Sequence, residues 1–219
     1  MTNTLAVLIL PGHLCNSRLF SYQIDALRNL AKVTIADLYR YDDIAMMAAS
    51  IIKDMPHRFA VLANSMGGAV AFEIVRQCSE RVTGLALVGT TARPESRAQR
   101  KFRQVALKLA QEGNFKAIAE IYAPLFFHPG RINHCKNKQI LETMIIEAGL
   151  EGLRVQQKAF STRPNSLSTL LEVDCPTAVI CGRQDAITPL EMSKEIAETI
   201  PGAELEIVEN CGHIPMLEW

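Results

Sequence analysis

The chain has 219 residues, of which 48% are hydrophobic and 21% charged, with Lys+Arg and Asp+Glu at 23 each. That length suits one α/β domain with a full core and requires no second domain. The composition excludes a disordered chain, and zero net charge argues against a nucleic-acid binder, which needs a basic surface. The opening MTNTLAVLIL has no basic start, and its apolar run ends at Pro11. It is too short for a signal peptide or a membrane span, so a soluble, cytoplasmic protein is expected. Cys15, Cys78, Cys135, Cys175, Cys181 and Cys211 form no CxxC pair and no metal-ligand spacing. They read as thiols in a reducing compartment, and no metal or cofactor is expected.

Leu5–Leu10 reads as a short apolar strand stopped by Pro11-Gly12. Helical spacing of Tyr22, Ile24, Leu27 and Leu30 predicts a helix over Ser21–Leu30. Val33–Ala36 follows as a strand and Ile44–Lys53 as a helix. Phe59–Ala63 is a strand, Gly68–Cys78 a helix, and Leu85–Val88 a strand ending at Gly89. Towards the end, Thr177–Cys181 is a strand, Leu190–Thr199 a helix and Glu204–Val208 a strand. Several strands are unbroken apolar runs, as a parallel sheet covered on both faces requires. The expected fold class is therefore α/β, a doubly wound, mostly parallel sheet.

The alternation breaks between about Ala92 and Leu170, which contains no clear strand. It reads as helices broken at Pro124, Pro129-Gly130 and Pro164, a cap over the carboxyl ends of the strands. The expected division is a core of residues 1–91 and 171–219 with a helical cap insertion at 92–170.

The stretch FAVLANSMGGAVAFEIV places Ser65 between a strand-like and a helix-like run. Ligands bind at that edge of an open α/β sheet. The strict strand-to-helix elbow is G-x-S-x-G, whereas this chain reads Ala63-Asn64-Ser65-Met66-Gly67. Taken alone, a serine before a helix is more often an N-cap. A nucleophilic serine needs a base, and the base needs a carboxylate to hold it, in the chain order Ser, Asp or Glu, His. Asp185 and His213 supply both, each in a loop that follows a predicted strand. Singly, Asp185 reads as a cap for a helix starting near Pro189, and His213 as a surface histidine; their joint occurrence with Ser65 favours a triad. His57 precedes its strand, and His128 and His134 lie in the cap. The oxyanion donors expected are the backbone N–H groups of Met66 and His13, with Leu14 next.

The segments LILPGHLCNSRLF, LANSMGGAVAFEIV, CGRQDAITP and ENCGHIPMLEW together resemble the α/β-hydrolase family over nearly the whole chain. The resemblance implies a core of about six strands, since the chain begins directly at the strand before the oxyanion loop. Asp37 to Asp42 replaces the glycine-rich turn often seen in the family. The chain ends at Trp219, six residues after His213, where relatives usually continue with a helix on the sheet. A shortened form, or one relying on a partner to cover apolar surface, is the corresponding expectation.

Arg93 to Lys108 carries six basic residues against Glu95 alone. It reads as a solvated helix face, with attraction of an anionic substrate or an acidic carrier protein as the alternative. Phe126, Phe127 and Met144 either line an acyl pocket or pack inside the cap. The expected function is hydrolysis of a small carboxylic ester, lactone or thioester. Carbon–carbon bond hydrolysis or cofactor-free perhydrolysis on the same triad is the alternative, and a non-catalytic binding protein the rival. A small acyl substrate is the expected partner, with a homodimer as a further one and no nucleic acid or membrane.

Overall fold

The computed structural model describes residues 5–132 and 135–219, together with the backbone but not the side chain of Cys135. His134 therefore lies outside the described residues. Six parallel strands form one sheet in the order β2-β1-β3-β4-β5-β6. They are β1 (Leu5–Leu10), β2 (Ala31–Ile35), β3 (Phe59–Asn64), β4 (Val82–Val88), β5 (Thr177–Gly182) and β6 (Glu204–Val208). The order reverses beside β1, at the point where α/β sheets open a crevice beyond their strand ends.

Between these strands run α1 (Ser21–Leu27), α2 (Ile44–Asp54), α3 (Met66–Cys78), α4 (Arg97–Gln111), α5 (Phe115–Phe126), α6 (Cys135–Thr162), α7 (Leu167–Leu170) and α8 (Leu190–Thr199). The short α9 (Pro215–Glu218) closes the described chain. Local signals set several starts. Asp43 caps α2 by accepting the Met46 N–H at 3.0 Å, and Ser96 and Gln99 form a reciprocal capping box on α4, each satisfying a helix donor that lacks an intrahelical partner.

Helices α2 and α3 pack together on one face of the sheet, and α8 packs against β5. Here Leu8, Leu10, Phe59, Val61 and Phe72 form a dry core. The opposite face is only partly covered. Ala60, Leu62, Ala86, Ala178 and Ile180 are half-buried on it, beside a groove of about 400 Å³ that Leu27 borders. The unbroken apolar runs predict cover on both faces, and on this face the cover is partial, in keeping with the expectation of exposed apolar surface. Trp219 is 63% exposed, with the Arg131 guanidinium 4.3 Å from its ring centroid.

Helices α4 to α7 lie between β4 and β5. Pro124, expected to break a helix, sits inside the last turn of α5. Its ring forfeits one N–H bond, while Tyr122, Ala123 and Phe126 around it bury their side chains and hold the turn. The break that composition did not reveal is Gly149, whose φ of 62° and ψ of −172° kink α6. Helix α1 also stops earlier than predicted, at Leu27, and Leu30 beyond it stays 69% exposed.

Candidate active site

Ser65 follows β3, Asp185 follows β5 and His213 follows β6. Parallel strands carry all three loops to the same edge of the sheet. Ser65 has φ 51° and ψ −112°, a conformation rarely tolerated by a residue with a side chain. Its N–H donates to Val88 O at 3.0 Å, and Thr90 Oγ1 donates to Ser65 O at 2.7 Å. The strained turn is thus held from both sides. Gly67 is required by proximity: a Cβ there would lie 2.1 Å from Leu10 O. Ala63 is fully buried and pairs in register with Leu10 and Leu87, so the methyl that departs from the strict motif fits within the core.

His213 Nδ1 lies 2.8 Å from Asp185 Oδ2, and both side chains are essentially inaccessible to water. A carboxylate only accepts, so Nδ1 carries the proton and Nε2 is left as the free lone pair. Asp185 Oδ1 accepts the N–H groups of Ile187 and Thr188, each at 2.8 Å. Thr188 Oγ1 donates to Asp185 Oδ2 at 2.8 Å. Burial works to raise the Asp185 pKa, but its pairing with His213 and these donors together hold it below the usual carboxylate range. The helix-cap reading of Asp185 does not hold, since Pro189 occupies that position in α8 without a side-chain cap.

The loop after β1 is held from the cap. Gln156 Oε1 accepts the Leu14 N–H at 2.9 Å and lies 3.0 Å from His13 Nδ1. The backbone donor fixes which end of the amide faces the loop. His13 Nδ1 must therefore donate, leaving Nε2 bare. Burial, with the Arg103 charge, lowers the His13 pKa to about 3, so its ring is neutral. The Leu14 N–H is already engaged, whereas the His13 N–H finds no acceptor among the described residues.

A cavity of about 250 Å³ joins these groups, with Ser65, His213 and His13 in its wall. The cap contributes Phe102, Tyr122, Phe126 and Phe160. Phe126 thus reaches the cavity, while Phe127 and Met144 pack in the apolar core behind it. Arg103, expected on a solvated face, turns inward to the same cavity. It ion-pairs with Glu95 and stacks 3.9 Å from the Phe160 centroid. Arg93 pairs instead with Glu195 at the surface. No hydrogen bond joins Ser65 to His213 among the described residues, a contact that often tightens only with substrate in place.

Residues 34–219 match the serine aminopeptidase (S33) family. The chain belongs to it and is an α/β-hydrolase. This hydrolase is 27% identical over 164 residues to a 2-hydroxy-6-oxononadienedioate/2-hydroxy-6-oxononatrienedioate hydrolase of Pseudomonas sp, covering 71% of the chain and 56% of that relative. It thus spans little more than half the length of that protein. It is 20% identical to a pimeloyl-[acyl-carrier protein] methyl ester esterase of Vibrio parahaemolyticus, over 96% of the chain and 88% of the relative. Among solved structures, a thermophilic esterase from Thermogutta terrifontis superposes with a TM-score of 0.85 at 26% identity, covering 98% of this chain and 85% of that one. The enol-lactonase of Burkholderia xenovorans shares the fold with a TM-score of 0.86 at 18% identity, over 99% and 86% of the two chains.

Gln156, Thr188, Glu218, Tyr122 and Arg163 escaped the sequence reading. Thr188 stands three residues after Asp185, where a side-chain turn was legible in principle. The others reach the site only through folding. Among the described residues no cluster of His, Cys, Asp and Glu could hold a metal ion, and no helix is long and apolar enough to cross a membrane.

Proposed function

We propose that this hydrolase cleaves small carboxylic esters, lactones or thioesters through Ser65, His213 and Asp185. The observation that carries the reading is the buried Asp185–His213 pair, 2.8 Å apart, beside a cavity that Ser65 shares. Ser65 Oγ attacks the carbonyl while His213 Nε2 takes its proton, and Asp185 stabilises the imidazolium that forms. The oxyanion accepts the N–H groups of Met66, at the positive end of α3, and His13. Collapse expels the alcohol or thiol, protonated by His213, and water then releases the acid from the acyl-enzyme. The esterase and lactonase relatives support this choice of substrate.

A second reading, carbon–carbon bond hydrolysis on the same residues, has the support of the Pseudomonas relative at 27% identity. The cytoplasm is the proposed compartment, supported by the free thiols of Cys15, Cys78, Cys175, Cys181 and Cys211. The test is hydrolysis of p-nitrophenyl acetate by Ser65→Ala, with fluorophosphonate labelling of the wild type. Turnover and labelling should both depend on Ser65. Full activity in the variant overturns the assignment, and an unreactive Ser65 in folded protein supports a binding role instead.

A further inference from the structure

Arg163 stands just beyond the end of α6 at Thr162 and immediately before Pro164, which cannot continue the helix. Its N–H reaches back to Phe160 O at 3.3 Å. Its guanidinium carbon lies 5.5 Å from the Phe160 centroid. The side chain lines the cavity that holds Ser65 and His213. Its Nε is shut off from water and has no hydrogen-bond partner among the described residues.

The neighbouring guanidinium differs in one respect. Arg103 is matched by Glu95, whereas no described carboxylate forms an ion pair with Arg163. Burial lowers the Arg163 pKa to about 10, so the group remains charged at neutral pH. The residue is half-buried, with its Nε withdrawn from water and unmatched among the described residues, which favours a charged acceptor at that edge. Its planar fork suits a carboxylate. The Tyr122 hydroxyl, also buried without a partner, lines the same cavity as a second donor. Phe102, Phe126 and Phe160 supply apolar wall between these groups.

We propose that Arg163 anchors a carboxylate carried by the substrate, so that the acyl donors are half-esters, thioesters or lactones of short dicarboxylic acids. The proposal rests on the hydrolase reading above. For a half-ester, water cleaves the acyl carbon–oxygen bond; the leaving oxygen gains a proton to become the alcohol, and the acyl group becomes a second carboxyl. The free carboxylate held by Arg163 is unchanged throughout. A cavity of about 250 Å³ suits a few methylenes between the two carboxyl carbons.

The test compares mono-p-nitrophenyl glutarate with p-nitrophenyl valerate, which presents a neutral chain of equal length. In wild type the ratio of kcat/KM values should favour the glutarate by about tenfold or more, the range expected of a hydrogen bond to a charged group. Arg163→Gln should bring the ratio to one or below, and Arg163→Lys should keep part of the preference. A wild-type ratio of one or below, or a ratio unchanged by Arg163→Gln, overturns the proposal. Independently of catalysis and of the folding of those variants, calorimetry on Ser65→Ala protein should detect binding of monomethyl glutarate but not of methyl valerate. Failure of monomethyl glutarate to bind overturns the carboxylate anchor and leaves the hydrolase reading intact. Retained hydrolysis by Ser65→Ala overturns that reading and leaves the binding result standing.

Discussion

Glu218 Oε1 accepts the Gly212 N–H at 2.7 Å, one residue before His213. The other carboxylate oxygen accepts the His128 N–H at 2.8 Å, and the His213 N–H donates to Phe126 O at 2.8 Å. The histidine loop is therefore fastened to the end of α5 through a carboxylate that is only 5% exposed. Glu218 thus reaches His213 through the backbone, and under the proposed mechanism it is a positioning residue.

Glu218→Ala removes the acceptor for two N–H groups, that of buried Gly212 and that of half-buried His128. Each charge-assisted bond contributes about 1.5–3 kcal/mol, so the variant should unfold at lower urea. It should also lose activity through kcat, by about tenfold, with KM little changed, because the base and not the cavity is displaced. Glu218→Gln keeps an acceptor and should recover part of kcat. Steady-state kinetics on a p-nitrophenyl ester check this; an effect on KM alone contradicts it.

Ser65 holds its positive φ in a turn whose strain is about 1–3 kcal/mol. Ser65→Gly relieves that strain, so it should abolish turnover while raising the unfolding free energy by about 1 kcal/mol. Urea titration of the variant against wild type gives the answer. A destabilised Ser65→Gly would mean that the turn is not strained.

Gln156→Leu leaves the Leu14 N–H and His13 Nδ1–H without their shared acceptor. Two unsatisfied buried donors cost about 2–6 kcal/mol together. Stability should fall accordingly, and kcat should fall with it as the loop carrying the His13 N–H loosens. Gln156→Glu retains an acceptor and should be the milder change in both measurements.

Acid should destabilise the protein through two groups. His13 has its folded pKa lowered to about 3, against about 6.5 in the unfolded chain. Between those values the unfolded state binds a proton that the native ring refuses, so stability falls as pH drops from about 6.5 towards 3, by at most about 1.4 kcal/mol per pH unit from this group. Asp185, whose folded pKa is depressed, contributes stability that is present above its unfolded value, about 3.9, and is lost as pH falls through the folded one. His13→Asn retains a donor towards Gln156 and removes the titration. Its stability should decline less steeply than wild type between pH 6.5 and 4, measured by urea unfolding at each pH.

The sheet and its direction were legible because they rest on local pattern. Unbroken runs such as Leu5–Leu10 and Phe59–Ala63 demand cover, and short strand-helix connections demand parallel pairing. The order Ser65, Asp185, His213 was legible for the same reason, since each follows a strand and parallel strands end at one edge. Sequence pattern misjudged Pro124, because packing of Tyr122 and Phe126 outweighed one lost backbone bond. It also gave no sign of the kink at Gly149.

The supporting contacts belong to another class. Gln156 reaches Leu14 across 142 positions, and Glu218 reaches His128 across 90. Arg103 belongs to a basic run whose composition says surface, yet the packing of α4 on α6 turns it inward. Residue type and spacing determined the fold and the strand ends on which Ser65, Asp185 and His213 stand, because helices and strands respond to neighbours a few positions away. Which way Arg103 and Arg163 face, which N–H after β1 remains free, and which carboxylate holds the His213 loop were decided only in the tertiary structure, where the cap closes over the strand ends and brings distant polar groups within bonding range.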